Sequence, residues 1–309
     1  MVQKKTKVGV VIPTYNRAEY VKEAIHSVIH QTFKNWKLIV VDDASTDNTR
    51  NVIKEIDDSR VHYIRNEKNK GAQKARNRGV LSSKTKYIAF LDSDDIWHKE
   101  KLKKQVNKAE KECLNLVSCS ELILGEKKTL RESYNGNRNN ISKEIMKRDI
   151  IGSCSKVLVK RSTIIEAGMF DTRLKYHQDW DMWIRISELG GVGFVDSVLV
   201  KKRVGHDNIS SNLQEKIKSE EYLYKKYMKK LRKNKEALKI RQSALSKLKY
   251  NYSFKEGAKM AIKSLKHDPF QPSLIIATVI AMFGTDIYNS VYLVWNRLKG
   301  RDYKMEPEK

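Results

Sequence analysis

The stretch YIAFLDSDDIW, residues 87–97, changes character partway along. Tyr87, Ile88, Ala89, Phe90 and Leu91 form a nearly unbroken apolar run, as short as a buried strand. Asp92, Asp94 and Asp95 follow within four residues, and Ile96 and Trp97 close the cluster. A short apolar run with no polar alternation reads as a strand covered on both faces, the signature of a parallel sheet. Three carboxylates at its end repel one another unless something positive neutralises them. The stretch therefore predicts a buried strand that delivers chemistry at its carboxyl end and calls for a cationic partner.

Working outward, the same alternation recurs. Residues 8–12 are a β-branched run stopped by Pro13, residues 36–41 a second run ended by Asp42-Asp43, and residues 61–64 a third. Helical spacing covers residues 18–31, 46–56 (with Ser45 or Thr46 as cap), 71–81 and 99–112. Strands separated by helices of ten or more residues predict an α/β fold, a mostly parallel sheet with helices on both faces. Beyond it, residues 116–124, 157–159 and 198–201 read as strands, 127–140 as a polar loop, and the region around 180–189 as a helix. From Leu213 onward the chain reads as all helical. The expected division is 1–212 for the α/β domain, 213–270 for a basic helical region, and 271–309 for an amphipathic helix and tail.

The 309 residues contain 62 Lys+Arg against 37 Asp+Glu, a net charge of +25. Such a surplus suits a nucleic acid, an anionic membrane surface or a phosphorylated substrate. Cys113, Cys119 and Cys154 have no C-x-x-C spacing and read as reduced thiols rather than zinc ligands. The opening MVQKKTKVGVVIP is not expected to be a signal peptide, because its apolar run is short and leads into Pro13.

Three of the four predicted strands end in polar residues: Thr14-Tyr15-Asn16, Asp42-Asp43 and Asp92-Ser93-Asp94. Open α/β sheets bind ligands beyond the carboxyl ends of their strands, so these segments converge on one site. Mg2+ or Mn2+, bridging one or two carboxylates to substrate phosphates, is the natural neutraliser.

The segments VVIPTYNR, VVDDASTDNT, NKGAQKARNRG, FLDSDDIW and HQDWDMWIR stand in the order and spacing of family-two glycosyltransferases, which the chain resembles over roughly residues 7–211. The resemblance implies a GT-A fold and a nucleotide-sugar donor, with uracil the expected base. It implies that Pro13, Thr14 and Tyr15 line the base pocket, that Asp43 accepts the base's imide N–H while Asp42 holds the loop, and that Arg76 approaches the nucleotide. Asp92 and Asp94 become the D-x-D pair, with Asp94 the better metal ligand and Asp92 on ribose or metal. Asp95 would share either role or brace the loop. Asp179, at the first turn of its helix, becomes the general base of an inverting transfer, and Gln178 stands where the family usually has Glu. His206, in RVGHDNISS, becomes a ligand of metal or diphosphate, and Asp181 pairs with Arg185 at i,i+4. Two rivals remain at this stage. A nucleic-acid-binding protein would interleave aromatics with its basic patch, and here they lie apart, so no nucleic acid is expected. A nucleotidyltransferase would carry a glycine-rich loop after the first strand, whereas PTYNRAEY has no glycine.

Residues 214–250 hold 13 Lys+Arg and 4 Asp+Glu. The apolar core at 274–283 is about half the ~20 residues that a membrane span needs. As one helix, Ile276, Ile280, Phe283, Ile287, Val291, Val294 and Leu298 share a face. Tyr288, Tyr292 and Trp295 would sit at a headgroup boundary, and Arg297, Lys299 and Arg301 would meet anionic lipid. The expectation is a cytoplasmic enzyme, peripheral on the inner face of the cell membrane, near a glycan or lipid-linked acceptor.

Overall fold

The computed structural model describes residues 6–124, 129–132, 140–203, 212–267 and 269–298. The strands are β1 (Val8–Thr14), β2 (Trp36–Asp42), β3 (Val61–Arg65), β4 (Tyr87–Phe90), β5 (Ile96–Trp97), β6 (Leu116–Leu124), β7 (Thr129–Glu132), β8 (Leu158–Lys160) and β9 (Val192–Arg203). Between them run α1 (Ala18–Ile29), α2 (Thr49–Lys54), α3 (Ala72–Ser82), α4 (Lys101–Lys111), α5 (Ile141–Lys147), α6 (Arg161–Glu166) and α7 (Gln178–Glu188). The last helices are α8 (Leu213–Lys226), α9 (Met228–Lys233), α10 (Lys235–Tyr250), α11 (Phe254–His267), α12 (Pro272–Ala281) and α13 (Thr285–Leu298).

The strands form one sheet in the order β3-β2-β1-β4-β8-β6-β9-β5, with β7 on β6. β3, β2, β1 and β4 are parallel. The other half is mixed: β4–β8, β8–β6 and β5–β9 are antiparallel, and β6–β9 is parallel. The fold is thus the expected α/β class with a more mixed sheet than the strand runs alone suggested. β1 is buried along its whole length, and α1 covers it with Val21, Ala24, Ile25 and Val28, the i, i+3, i+4, i+7 stripe of a core-facing helix. β1 continues through Pro13 to Thr14 rather than stopping there. The β4 ladder ends at Val11, so the missing proline N–H interrupts no pairing on that side.

α2 begins three residues later than its spacing suggests. Ser45 and Thr46 do not cap it: their N–H groups donate instead to Asp42 Oδ1 (2.8 Å) and Asn16 Oδ1 (2.8 Å). Turn chemistry at the strand ends has taken the residues that would have extended the helix.

The chain gathers into two compact units. The first comprises Met1–Ile145, Asp149–Arg173 and Gln178–His206; the second comprises Met146–Arg148, Leu174–His177 and Asp207–Lys309. The second unit has its own core of Tyr250, Ala261, Leu274, Ala277, Ala281 and Tyr288. Two expectations are corrected here. Residues 272–298 are not one helix, because the chain turns at Gly284, whose φ of +112° suits glycine and ends the α-helical path. Nor do they stand apart from the preceding helices. Leu274, Ala277 and Ala281 are buried on α10 and α11. Tyr288, expected at a headgroup boundary, is instead buried, with its ring centroid 5.4 Å from that of Tyr250. Among the described residues, no helix is long and apolar enough to cross a membrane.

Candidate active site

β1, β2 and β4 end side by side, with Thr14 in register with Asp42. The loops beyond them are locked together. Asn16, at a φ of +49° that asparagine tolerates, accepts from Thr46, and its own N–H donates to Ser45 Oγ (3.0 Å). Asp42 is fully buried and accepts from Tyr63 (2.5 Å), Arg65 (2.8 Å) and the Ser45 N–H.

Asp43 is equally committed. Its oxygens accept from Asn66 Nδ2 (2.6 Å), the Lys70 N–H (2.9 Å) and the Gly71 N–H (2.6 Å). Gly71 has a φ of +89°, a conformation that lets the chain turn into α3 while its N–H faces the carboxylate. The sequence reading gave loop bracing to Asp42 alone; the structure gives it to both aspartates, so a base reaching Asp43 would meet a carboxylate already bonded to the protein. Pro13 and Thr14 are buried and Tyr15 is 42% exposed. The Thr14 hydroxyl is buried without a hydrogen-bond partner among the described residues.

α3 connects this end of the site to the D-x-D end. Gly79 lets it approach closely: a Cβ there would lie 2.3 Å from Val11 Cγ1. At that distance Arg76 is buried, and its Nη2 donates to Asp92 Oδ1 at 2.6 Å. Its guanidinium lies 5.6 Å from the Phe170 ring centroid, and its Nε and Nη1 have no hydrogen-bond partner among the described residues. One turn earlier on α3, Gln73 donates to Gln178 Oε1 at 3.1 Å, tying α3 to the start of α7.

The three carboxylates after β4 separate by environment. Asp92 is partly open and bonded to Arg76. Asp94 makes no ion pair among the described residues, and burial, then the Asp92 charge, holds its carboxyl above the usual range. Asp95, expected at the substrate, is 2% exposed. Its two oxygens accept from Ser155 Oγ (2.6 Å) and the Arg203 N–H (3.2 Å), which is the bracing alternative. Ser155 also accepts from the Asp92 N–H (3.0 Å), so one hydroxyl fixes both ends of the D-x-D-D turn.

Asp179 lies in the first turn of α7, where a carboxylate is favoured by the helix dipole, and accepts from the Trp180 N–H. Trp180 and Trp183 anchor this helix, donating to the carbonyls of Ile145 (2.7 Å) and Gly152 (2.9 Å). Asp181 pairs with Arg185 at 2.7 Å, as the i,i+4 spacing predicts. Asp149 lies in the field of Asp179. Desolvation by surrounding protein, then the Asp179 charge, raises its carboxyl, while the Gly152 and Ile151 N–H groups act against the rise. Asp149 keeps an exposed surface, so water tempers that desolvation.

Lys202 supplies a second cation to the cluster. Burial works against its charge, but Glu121, Asp95, Asp92 and Asp179 outweigh that and hold its proton more tightly than usual. The positive partners that the first stretch called for thus include Arg76, Lys202 and, against Asp94, Arg17. Sequence reading missed Lys202, Ser155, Gln73 and Asp149. Only Lys202 left a signal, a lysine sharing strand parity with Val198 and Val200. Among the described residues, no three His, Cys, Asp or Glu side chains group as a metal site. A cation here would have to complete its shell with substrate oxygens. His206 lies outside the described residues.

Comparison with known proteins gives this geometry a lineage. The fold matches that of the Staphylococcus aureus protein TarS, residues 1–349, solved with UDP-GlcNAc: TM-score 0.64, 16% identity, covering 96% of this chain and 93% of that one. In sequence, the chain is 31% identical over 225 residues to the putative teichuronic acid biosynthesis glycosyltransferase TuaG of Bacillus subtilis, covering 72% of this chain and 88% of TuaG. It is 30% identical over 213 residues to the Escherichia coli UDP-Glc:alpha-D-GlcNAc-diphosphoundecaprenol beta-1,3-glucosyltransferase WfgD, covering 68% of this chain and 82% of WfgD. The profile of Glycosyl transferase family 2 matches residues 9–162, the stretch that carries the base-side loops, Arg76 and the D-x-D turn. With these motifs assembled at one edge of a GT-A sheet, the chain belongs to glycosyl transferase family 2.

Proposed function

We propose that this glycosyltransferase moves a sugar from a UDP-activated donor to a hydroxyl of a lipid-linked or envelope-glycan acceptor, with inversion, at the cytoplasmic face of the cell membrane. One observation carries the reading. Arg76 is buried and bonded to Asp92, yet keeps two N–H-bearing nitrogens without a partner among the described residues, in the same electrostatic cluster as Asp179. A buried guanidinium with free donors suits a phosphate oxygen. The donors and acceptors named for TarS and WfgD support the substrate class.

In this reading, Pro13 and Thr14 wall the base pocket, and Tyr15 stacks on the base. Asp43 fixes the loop under it and shares an oxygen with its imide N–H. Arg76 and Lys202 face the diphosphate and offset the charge that builds on it as it leaves. Asp179 takes the proton of the acceptor hydroxyl while that oxygen attacks the anomeric carbon. The new C–O bond forms as the bond to the diphosphate breaks, the electron pair departs with UDP, and one displacement inverts the centre. Asp94 and Asp92 would hold Mg2+ or Mn2+. Their hard oxygens and the surplus negative charge at Asp94 fit such an ion, which would supply Lewis-acid stabilisation of the leaving group. His206 is proposed as a further ligand.

Asp179→Asn tests the assignment. The expected result is loss of transfer by at least about two orders of magnitude, with UDP-sugar binding by calorimetry nearly unchanged. An equal loss of binding would move Asp179 from base to donor contact. Asp94→Ala should weaken donor binding in the presence of manganese and leave binding in chelator unaltered.

A further inference from the structure

We infer that the α12–α13 hairpin docks the enzyme on an anionic phospholipid surface, with the Met282–Phe283 turn entering the leaflet first. The inference extends the proposed membrane location by naming the surface that makes it. Among the described residues, ten of the seventeen exposed large apolar side chains fall between residues 262 and 294. That is a patch rather than the scatter that any surface shows.

The geometry of the hairpin makes the patch. Each helix turns one side to the Tyr250 core, through Leu274, Ala277 and Ala281 on α12 and Tyr288 on α13. The sides turned away carry Ile276 and Val279 on α12, and Ile287 and Val294 on α13, each at least 49% exposed. At the turn, Met282 and Phe283 are 68% and 70% exposed. Folding has already buried the side that needed covering, so the apolar side still facing water has no use in the core.

Charge selects the occupant. Between residues 269 and 296 the only charged residue is Asp286. The segment before it is basic: α11 has Lys255, Lys259, Lys263 and Lys266 against one acid, Glu256. Residues 297–304 add Arg297, Lys299, Arg301 and Lys304 against Asp302. A second copy would bring the same positive charge to the same patch, and like charges oppose that contact. An anionic leaflet attracts it, each lysine near the surface contributing about fivefold in affinity. α12 is ten residues long, about 15 Å at 1.5 Å per residue, half of a hydrocarbon core. The hairpin can therefore lie in the interface but not span it.

The test is co-sedimentation of the full chain with vesicles of phosphatidylcholine, alone or with about 30 mol% phosphatidylglycerol. The expected result is binding to the anionic vesicles that weakens at about 0.5 M NaCl without vanishing, because apolar burial is not screened. Met282→Ser with Phe283→Ser, both at exposed positions, should cut vesicle affinity at least tenfold. Lys263→Gln with Lys266→Gln should cut it through the salt-sensitive part alone. Circular dichroism and UDP-sugar binding should match the parent in both variants. Absence of binding to anionic vesicles, or binding indifferent to the serine pair, overturns the inference. So does a dimer in sedimentation equilibrium that the serine pair dissolves, since that names a second copy as the occupant. Donor turnover is read separately in solution: docking can fail with turnover intact, and turnover can fail with docking intact.

Discussion

Arg76 shows what single residues add to a motif. Its position in KARN marks it for the nucleotide, but only the structure shows two guanidinium nitrogens buried without partners among the described residues. A buried donor left unpaired costs about 1–3 kcal/mol, so a phosphate oxygen reaching these two nitrogens would relieve a cost of that order. Arg76→Lys keeps the charge and loses the fork. UDP affinity is expected to fall about tenfold or more, with the melting temperature of the free protein unchanged or raised. A variant that melts earlier and binds UDP normally would make Arg76 a brace for Asp92 instead. Asp149 gives the pH counterpart. Its carboxyl is held above the value of an unfolded chain, so the folded state binds the proton more tightly. Its contribution is therefore full below the ordinary carboxylate range and is lost as pH rises towards about 7. Against Asp149→Asn, which cannot titrate, the parent should lose melting temperature between pH 5 and pH 7.5. A difference constant across that window would rule Asp149 out as the source. The D-x-D turn and Asp179 could be singled out from sequence because they stand in the short segments that carry the family resemblance, FLDSDDIW and HQDWDMWIR. Asp149 and Ser155 could not, because their proximity to Asp179 and Asp92 is made by chain segments tens of residues away.

At the scale of elements, periodicity found the parallel half of the sheet because each strand there is a short apolar run flanked by turn residues. It did less well on β9, twelve residues long, because its buried positions fall in adjacent pairs, Gly193-Phe194 and Leu199-Val200, instead of alternating, with Asp196, Lys201 and Lys202 outside them. It misplaced the start of α2, where hydrogen bonds to Asp42 and Asn16 outcompete the helix. α3 is the element on which the site turns, since it carries the Gly71 N–H to Asp43, Gln73 to Gln178 and Arg76 to Asp92. Its closeness to β1 depends on Gly79, and the two consequences of Gly79→Ala oppose each other. Helix propensity gains about 1 kcal/mol. A methyl 2.3 Å from the fully buried Val11 forces a shift that costs about 1–3 kcal/mol. The clash should win, and because Arg76 moves with the helix, UDP affinity should fall as well. Val11→Ala opens space for the new methyl, so the double variant should regain part of both losses. Urea melts and UDP calorimetry on the cycle of four proteins decide it, and strictly additive effects would mean that helix and strand are not in steric contact.

Over the whole molecule, the net charge of +25 announces a polyanion without saying which. Three candidates follow from the number alone, and the structure distributes them. In the proposed reading the active-site cluster sets Arg76 and Lys202 against two phosphates, too few to need such a surplus. Much of the rest lies on the second unit, whose helices hide their own charge pairs, such as Arg241–Glu220 at 2.9 Å, and leave lysines outside. A solvated basic surface of this kind binds any polyanion by releasing counterions, so RNA should be retained at low salt. That attachment should fall by about 10³ or more between roughly 50 and 200 mM salt. UDP has only its diphosphate for that long-range field, and the Arg76 proposed to meet it is buried. Its affinity should change by less than about tenfold over the same range. The expected outcome is RNA that neither displaces UDP at the active site nor survives moderate salt. Filter binding of labelled RNA beside UDP calorimetry, at matched salt, makes the comparison. An RNA complex stable at about 0.5 M NaCl would require base stacking or readout. It would return the nucleic-acid reading, because counterion release alone cannot hold such a complex together.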